Sequence, residues 1–340
     1  MFDRKLGLAA AVAAVLALPA ATARADVVAD FYRDKTVTVV VPSGLGASLG
    51  LYAQLVVDMI GKFIPGSPNV IIQSRPGAGG TVGTAYVFNV APKDGTVIAE
   101  ILAPSVVMPL FRDVKFDASR FHWLGSITQR PAVISVMSDA PAKTLDEAKK
   151  TPLTVGSTGK GSETFLVPSV ANELLGTQFK IVSGYNGGAD VNIAMERGEV
   201  HGRMQYWGGW TSIKQDWLKE GRLIHFLQYG PPIPAIPDVP RFVDLVSGAD
   251  EKAMVRFMEV APNVGMGFWV SPEVPADRIA ALEKAFMALM ADPKFKEAVV
   301  SRGLEYGPVD GAAVRKVVAD AYATPKPVIE RLRKIFGFEG

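Results

Sequence analysis

The sequence predicts an α/β protein folded as two lobes, and three observations carry that expectation. β-branched runs alternate with apolar stretches of helical spacing along most of the chain. Glycine-rich turns recur where such a run passes into a helix, early in both halves. A length of 340 residues with 49% hydrophobic composition supplies core for two domains.

The elements follow in order. Val37–Val41 reads as a strand and Leu51–Ile64 as a helix, joined by Ser43–Gly50. Val70–Gln73 is a second strand, leading through Arg75-Pro76-Gly77-Ala78-Gly79-Gly80 into a helix from Thr81 to Asn89. The Pro92-Lys93-Asp94-Gly95 turn precedes a third strand, Thr96–Leu102. In the second half, Thr144 and Glu147 have the spacing of a capping box and start a short helix. Leu153–Gly156 is a strand, followed by Ser157-Thr158-Gly159-Lys160-Gly161-Ser162 and a helix over Glu163–Leu175. Lys180–Ser183 then leads through Tyr185-Asn186-Gly187-Gly188-Ala189 into a helix over Asp190–Arg197. Val264–Val270 reads as an apolar strand, and Ile279, Leu282, Phe286 and Leu289 mark a helix closed by Asp292-Pro293. Crossings near Ser126–Ser138 and Val264–Val270 give a hinge. They divide the chain into a first lobe of residues 26–130 and 262–340 and a second of 131–261.

The first residues set location. Arg4 and Lys5 precede an apolar run, Leu6–Ala21, and Ala23-Arg24-Ala25 forms a small-residue cleavage site. The run falls short of the ~20 residues that span a bilayer, so residues 1–25 read as a cleaved export signal and the product as a soluble periplasmic protein. Removing them takes away three of 36 basic and one of 34 acidic residues, leaving 33 of each. That balance argues against a nucleic-acid binder. With no cysteine, disulfides and thiolate metal sites are excluded.

The Ser43–Gly50 loop admits three chemistries. A dinucleotide fingerprint would need an acidic residue ~20 positions on, where Gln73, Ser74 and Arg75 stand. A hydrolase elbow, Gly46-Ala47-Ser48-Leu49-Gly50, would make Ser48 a nucleophile. But Ser48 follows the first strand, no earlier sheet exists to supply an oxyanion hole, and His122, His201 and His225 lie in no motif. No metal-ligand spacing is found either. An anion cradle remains. Ser43–Gly50, Gly77–Thr81, Ser157–Ser162 and Asn186–Ala189 each aim backbone N–H groups from a strand-to-helix junction. The expected donors are the main chain of Gly44, Gly46, Gly77, Ala78, Gly79, Gly188 and Ala189. The hydroxyls of Ser43, Ser48, Thr81, Ser157, Thr158 and Ser162 add to them.

Several segments are similar to a known family. Val41-Pro42-Ser43-Gly44-Leu45-Gly46-Ala47-Ser48-Leu49-Gly50 resembles its V-P-F-P-P-G-G-x-x-D loop, and Ser74–Gly80 its N-R-P-G-A-G-G. Ala91–Val97 resembles A-P-D-G-Y-T-L, Tyr185–Ala189 Y-K-G-G-A, and Ile236–Phe242 L-P-D-V-P-T-F. The chain resembles the Bug-type periplasmic solute-binding proteins of tripartite tricarboxylate transporters. The resemblance implies a type II, Venus-flytrap fold with the ligand in the interdomain cleft. It implies a monomer that delivers a small carboxylate, aromatic or dicarboxylate, to integral membrane subunits, with no cofactor and no chemistry. The alternatives are an exported serine hydrolase using Ser48, and a same-fold receptor serving another transporter or a sensor.

Two departures stand out. The aspartate that closes the first loop in the family is Gly50 here. The family's cleft-lining D-x-M-F-D-N segment appears as His201-Gly202-Arg203-Met204-Gln205-Tyr206-Trp207. Arg203 there is either a bidentate clamp on a carboxylate or the partner of Glu199. Gln205, Tyr206 and Trp207 join the expected cleft, and Trp210 is either its floor or part of the lobe core.

Overall fold

The computed structural model of the protein describes residues 27–46 and 48–337, so the expected signal over residues 1–25 lies outside the described residues. The first strands are β1 (Thr36–Val41), β2 (Asn69–Ser74), β3 (Val97–Glu100), β4 (His122–Ser126), β5 (Ala132–Met137) and β6 (Leu153–Ser157). They continue as β7 (Phe179–Ser183), β8 (Gly202–Tyr206), β9 (Leu223–Tyr229), β10 (Gly267–Val270) and β11 (Val309–Asp310). The helices that bear on the site are α1 (Ser48–Ile60), α2 (Thr81–Asn89), α3 (Glu163–Leu175) and α4 (Gly188–Glu196). After them come α5 (Trp207–Ile213), α6 (Val260–Val264), α7 (Ala276–Ala291) and α8 (Lys326–Phe336).

The strands form two sheets, so the fold is the mixed α/β, two-lobed one. One sheet has the order β11-β4-β10-β3-β1-β2 and the other β7-β6-β8-β5-β9. β1 is parallel to β2 and β3, and β6 to β7 and β8. β10 lies antiparallel between β3 and β4, and β5 antiparallel between β8 and β9. Each of the four glycine loops thus follows a parallel strand and sits at the carboxyl edge of its sheet, where α/β folds place ligands.

Local chemistry explains the elements. β1 is nearly all valine and buries Val37, Val39, Val40 and Val41, while α1 turns Leu49, Tyr52, Ala53, Leu55, Val56 and Ile60 inward at helical spacing. Thr144 caps its short helix by accepting from the Glu147 N–H. The Glu147 carboxylate reaches back one residue further than a standard box, to the Lys143 N–H. Gly176 ends α3 in the left-handed conformation, at φ 72°.

One expected strand divides in two. Within Val264–Val270 only Gly267–Val270 is strand; Val264 closes α6, and Gly265 (φ 55°) breaks the chain between them. The cause is a backbone-to-backbone crossing of the two linkers. The Met266 N–H donates to Thr128 O, Ile127 N–H to Met266 O and Arg130 N–H to Pro262 O. A Cβ on Gly265 would lie 2.0 Å from Thr128 O, so only glycine fits. The apolar run Ala132–Met137, within the expected crossing, is β5, wholly buried in the second sheet.

One core cluster packs α1 and α7 on a face of the first sheet around Val39, Ile98 and Phe268. A second runs through both lobes, from Trp123 and Trp269 to Ile134, Met204 and Tyr229. α8 joins that cluster and touches both sides. Arg331 pairs with Glu173 of α3 at 2.7 Å, Phe336 packs on Phe111, and Arg333 donates to Leu110 O.

Candidate functional site

A cleft of about 390 Å³ opens between the sheets. Ser48 and Tyr52 of α1 line it from the first side, with Met266, Leu304 and Glu305. From the second side come Gly188, Ala189 and Asn192 of α4, Arg203, Gln205 and Tyr206 of β8, and the start of α5 at Gly208 and Gly209. Arg130 enters from the linker. A larger hollow, about 780 Å³, lies between Phe63 and α7, but of its charged residues Lys62 and Lys284 are exposed and Asp277 is only half-buried.

Arg203 is the dominant group. The pairing Ile134↔Met204 and Ser135↔Arg203 sends Met204 into the shared core and Arg203 to the opposite face, under α4. Its side chain is 3% exposed. The guanidinium donates to Met204 O at 3.1 Å, Gly188 O at 2.6 Å and Asn192 Oδ1 at 3.2 Å. Among the described residues no carboxylate lies within ion-pair distance of it; Glu199 pairs with Arg197 instead, at 3.7 Å. Burial pushes the guanidinium down to about 10. A Cβ on Gly188 would stand 2.7 Å from Arg203 Nη1, so this glycine is what lets the start of α4 rest on the guanidinium.

Around Arg203 the cleft is polar and cross-braced. The Arg130 guanidinium stacks on the Tyr206 ring, 3.9 Å from its centroid, and the Tyr206 hydroxyl donates to Glu163 at the start of α3. Burial pushes the Glu163 carboxyl up to about 7, against the opposing charge of Arg130 and a bond from the Tyr229 hydroxyl. Glu305 reaches from the first side to the second, where its carboxyl group lies against Gly208. A Cβ on Gly208 would lie 2.5 Å from that carboxyl group. Burial raises the Glu305 carboxyl, and Arg130 and the Gly208 N–H oppose the rise. Tyr52 donates to Glu305 O at 2.8 Å, which holds this segment against α1.

Of the residues expected from sequence, the cleft brings together Ser48, Gly188, Ala189, Arg203, Gln205 and Tyr206. Its lining does not include Ser43, Gly44, Gly46, Gly77, Ala78, Gly79, Thr81, Ser157, Thr158, Ser162 or Trp207. Ser43 O accepts from Ser74 Oγ, and Gly44 and Gly46 are exposed. Gly77, Ala78 and Gly79 are exposed and, with the buried Gly80, form a turn of positive φ into α2, where Thr81 Oγ1 bonds back to Ala78 O. Ser157, Thr158 and Ser162 are gathered by their own loop around the Thr164 hydroxyl, with Ser162 at 2.6 Å. Trp207 packs edge-on to His225, and Trp210 is fully buried against Trp217, in the lobe core.

Tyr52, Arg130, Asn192, Gly208 and Glu305 were not expected. Asn192 alone left a signal, since it stands one helical turn beyond Gly188. The glycine at position 50 also has a physical reason: a Cβ there would meet Leu45 O at 2.2 Å, so the loop closes over the site of the missing carboxylate.

The three histidines are engaged away from Ser48: His122 with Glu283, His201 with the Thr154 N–H and His225 with Ser135. Among the described residues no three His, Cys, Asp or Glu side chains gather as a metal site, and no helix is long and apolar enough to cross a membrane.

Comparison with known proteins agrees with this arrangement. A protein of Cupriavidus necator described as "UPF0065 protein in gbd 5'region" is 25% identical over 339 residues, 97% of each chain. The crystal structure of a TctC solute-binding protein from Polaromonas superposes with a TM-score of 0.71 at 20% identity, covering 88% of this chain and 99% of that one. MatC from Rhodopseudomonas palustris, solved with bound malate, superposes with a TM-score of 0.55 at 20% identity, covering 88% and 98%. Residues 65–333 match TctC, the tripartite tricarboxylate transporter family receptor, and the chain belongs to that family.

Proposed function

We propose that this protein is a periplasmic receptor that captures a small carboxylate between its lobes and delivers it to the membrane subunits of a tripartite tricarboxylate transporter. Residues 1–25 act as its export signal, and the lobes are residues 26–130 with 262–340, and 131–261. The observation that carries the reading is Arg203, a buried cation in the cleft wall with no carboxylate partner among the described residues. A buried charge without a counter-ion is costly, and a ligand carboxylate cancels that cost in the bound state. Asn192 and Tyr206 supply further polar contacts, and the Tyr52 and Tyr206 rings favour an aromatic or bulky acid over citrate. Malate in the related MatC structure supports the ligand class.

The protein does no chemistry on its ligand in this reading. Thermal-shift screening of the purified protein against aliphatic, aromatic and amino carboxylates tests it. A ligand at a hundredfold excess over Kd raises stability by about 2.7 kcal/mol. No shift from any acid with folded, ligand-free protein overturns the proposal. Ser48→Ala separates receptor from hydrolase: the receptor loses at most one neutral hydrogen bond, ~0.5–1.5 kcal/mol, whereas a hydrolase loses turnover.

A further inference from the structure

The charges facing the cleft are few enough to count. Among its described lining residues only Arg130, Arg203 and Glu305 are ionic. The two cations are not equivalent. Arg130 stacks on Tyr206, and its charge acts on two carboxyl groups, Glu163 and Glu305. Arg203 faces carbonyl and amide oxygens only. One cation is therefore left for the ligand to neutralise, and one fixed carboxylate stands in the same 390 Å³.

We infer that the cleft is built for an acid carrying a single negative charge, and that Glu305 is the residue that excludes a second one. This rests on the carboxylate reading above and narrows it. With its head group on Arg203, a dicarboxylate would bring its other charge into a cleft where Glu305 offsets Arg130 and repels it. Glu305 cannot withdraw freely. Its carboxyl group is pressed against Gly208 across the cleft, and its main-chain carbonyl accepts the Tyr52 hydroxyl. The specificity device is thus a repulsive element held rigidly beside an attractive one. An apolar or aromatic tail is accepted on the Tyr52 side, and a charged tail is refused.

Calorimetric titration of the purified protein with matched acids tests this, pairing hexanoate with adipate and benzoate with terephthalate. The monoanion of each pair should bind at least ~10-fold more tightly, the size of one partly screened like-charge contact. Glu305→Gln keeps an oxygen for the Gly208 N–H but removes the charge, and should bring adipate and terephthalate to within ~3-fold of their partners. Glu305→Asp keeps the charge and should keep the discrimination, which also controls for a general loosening of the cleft. Tighter binding of the diacids by wild type, or an unchanged ratio in Glu305→Gln, overturns the inference and leaves the carboxylate reading standing. Binding of an amino dicarboxylate with no affinity for either monoacid overturns it too, because Glu305 then acts as an ammonium acceptor. If the folded wild-type protein binds no acid at all, the reading of the cleft itself fails.

Discussion

Replacing Arg203 with methionine separates what this side chain does for the ligand from what it does for the fold. The change keeps an unbranched, flexible side chain, about two atoms shorter, and removes the charge. In the free protein two effects oppose each other. The fall of the guanidinium from its ordinary value to about 10 corresponds to roughly 3 kcal/mol against the charged form, and at neutral pH the fold carries all of it. Losing the bonds to Met204 O, Gly188 O and Asn192 Oδ1 costs about 1 kcal/mol each. The two nearly cancel, so the ligand-free variant should melt within about 4 °C of wild type. Binding has no such compensation. Truncating one partner of a buried charge pair costs about 2–5 kcal/mol, so affinity should fall about thirtyfold or more. Differential scanning fluorimetry with and without ligand reads both quantities on one sample. A variant that loses more than ~3 kcal/mol of stability yet still binds would show Arg203 to be a structural cation, and the reasoning from its missing counter-ion would be wrong.

Other perturbations follow from the same contacts. Gly188→Ala places a methyl group 2.7 Å from Arg203 Nη1 while improving helix propensity, so affinity should drop ~10-fold with stability changed by no more than ~1 kcal/mol. Parallel calorimetry and urea unfolding would reveal the opposite pattern if the guanidinium were free to swing aside. Gly50→Asp restores the family carboxylate but drives its Cβ to 2.2 Å from Leu45 O, so it should cost ~2 kcal/mol or more and confer no affinity for amino acids. A gain of amino-acid binding at wild-type stability would contradict this. Glu259, 4% exposed and accepting the Gly230 N–H, has its carboxyl raised by burial from 4.5 to about 7. The stability it contributes is complete below pH 4.5 and is lost as pH rises through about 7, at most ~3 kcal/mol. Glu259→Gln should therefore flatten the stability profile between pH 4.5 and 7, measured by urea unfolding; an unchanged slope rules the carboxyl out as the titrating group.

The elements were legible where the signal is local. The valine run of β1, the glycine stop after α3 and the threonine cap at Thr144 each write their structure within a few residues. The glycine loops also wrote their positions locally, most plainly at Gly77, Gly79 and Gly80, where the turn into the helix takes positive φ. The cleft was legible only in part. Gly188, Arg203 and Tyr206 announced themselves through motif and chemistry. Arg130 and Glu305 did not, since each owes its place to a crossing of distant segments, Arg130 beside Pro262 and Glu305 beside Gly208. Hydroxyls misled for a related reason. A serine or threonine beside a glycine turn looks like a ligand donor, yet Ser157, Thr158 and Ser162 are bonded around Thr164, which sequence spacing alone does not reveal.

The strand order β4-β10-β3 has a consequence for how the chain is made. β5 to β9 are consecutive, so the second sheet can assemble as soon as its own residues are available. The first sheet cannot. Its β3 and β4 share no edge until β10, more than a hundred residues later, slots between them. During N-to-C synthesis both strands offer unpaired backbone and apolar side chains, which invites pairing with other chains. An early-emerging half that cannot complete itself is a hazard in a crowded compartment where ribosomes work. Under the export proposed above, the same delay keeps the chain threadable until only about 70 residues remain to be made.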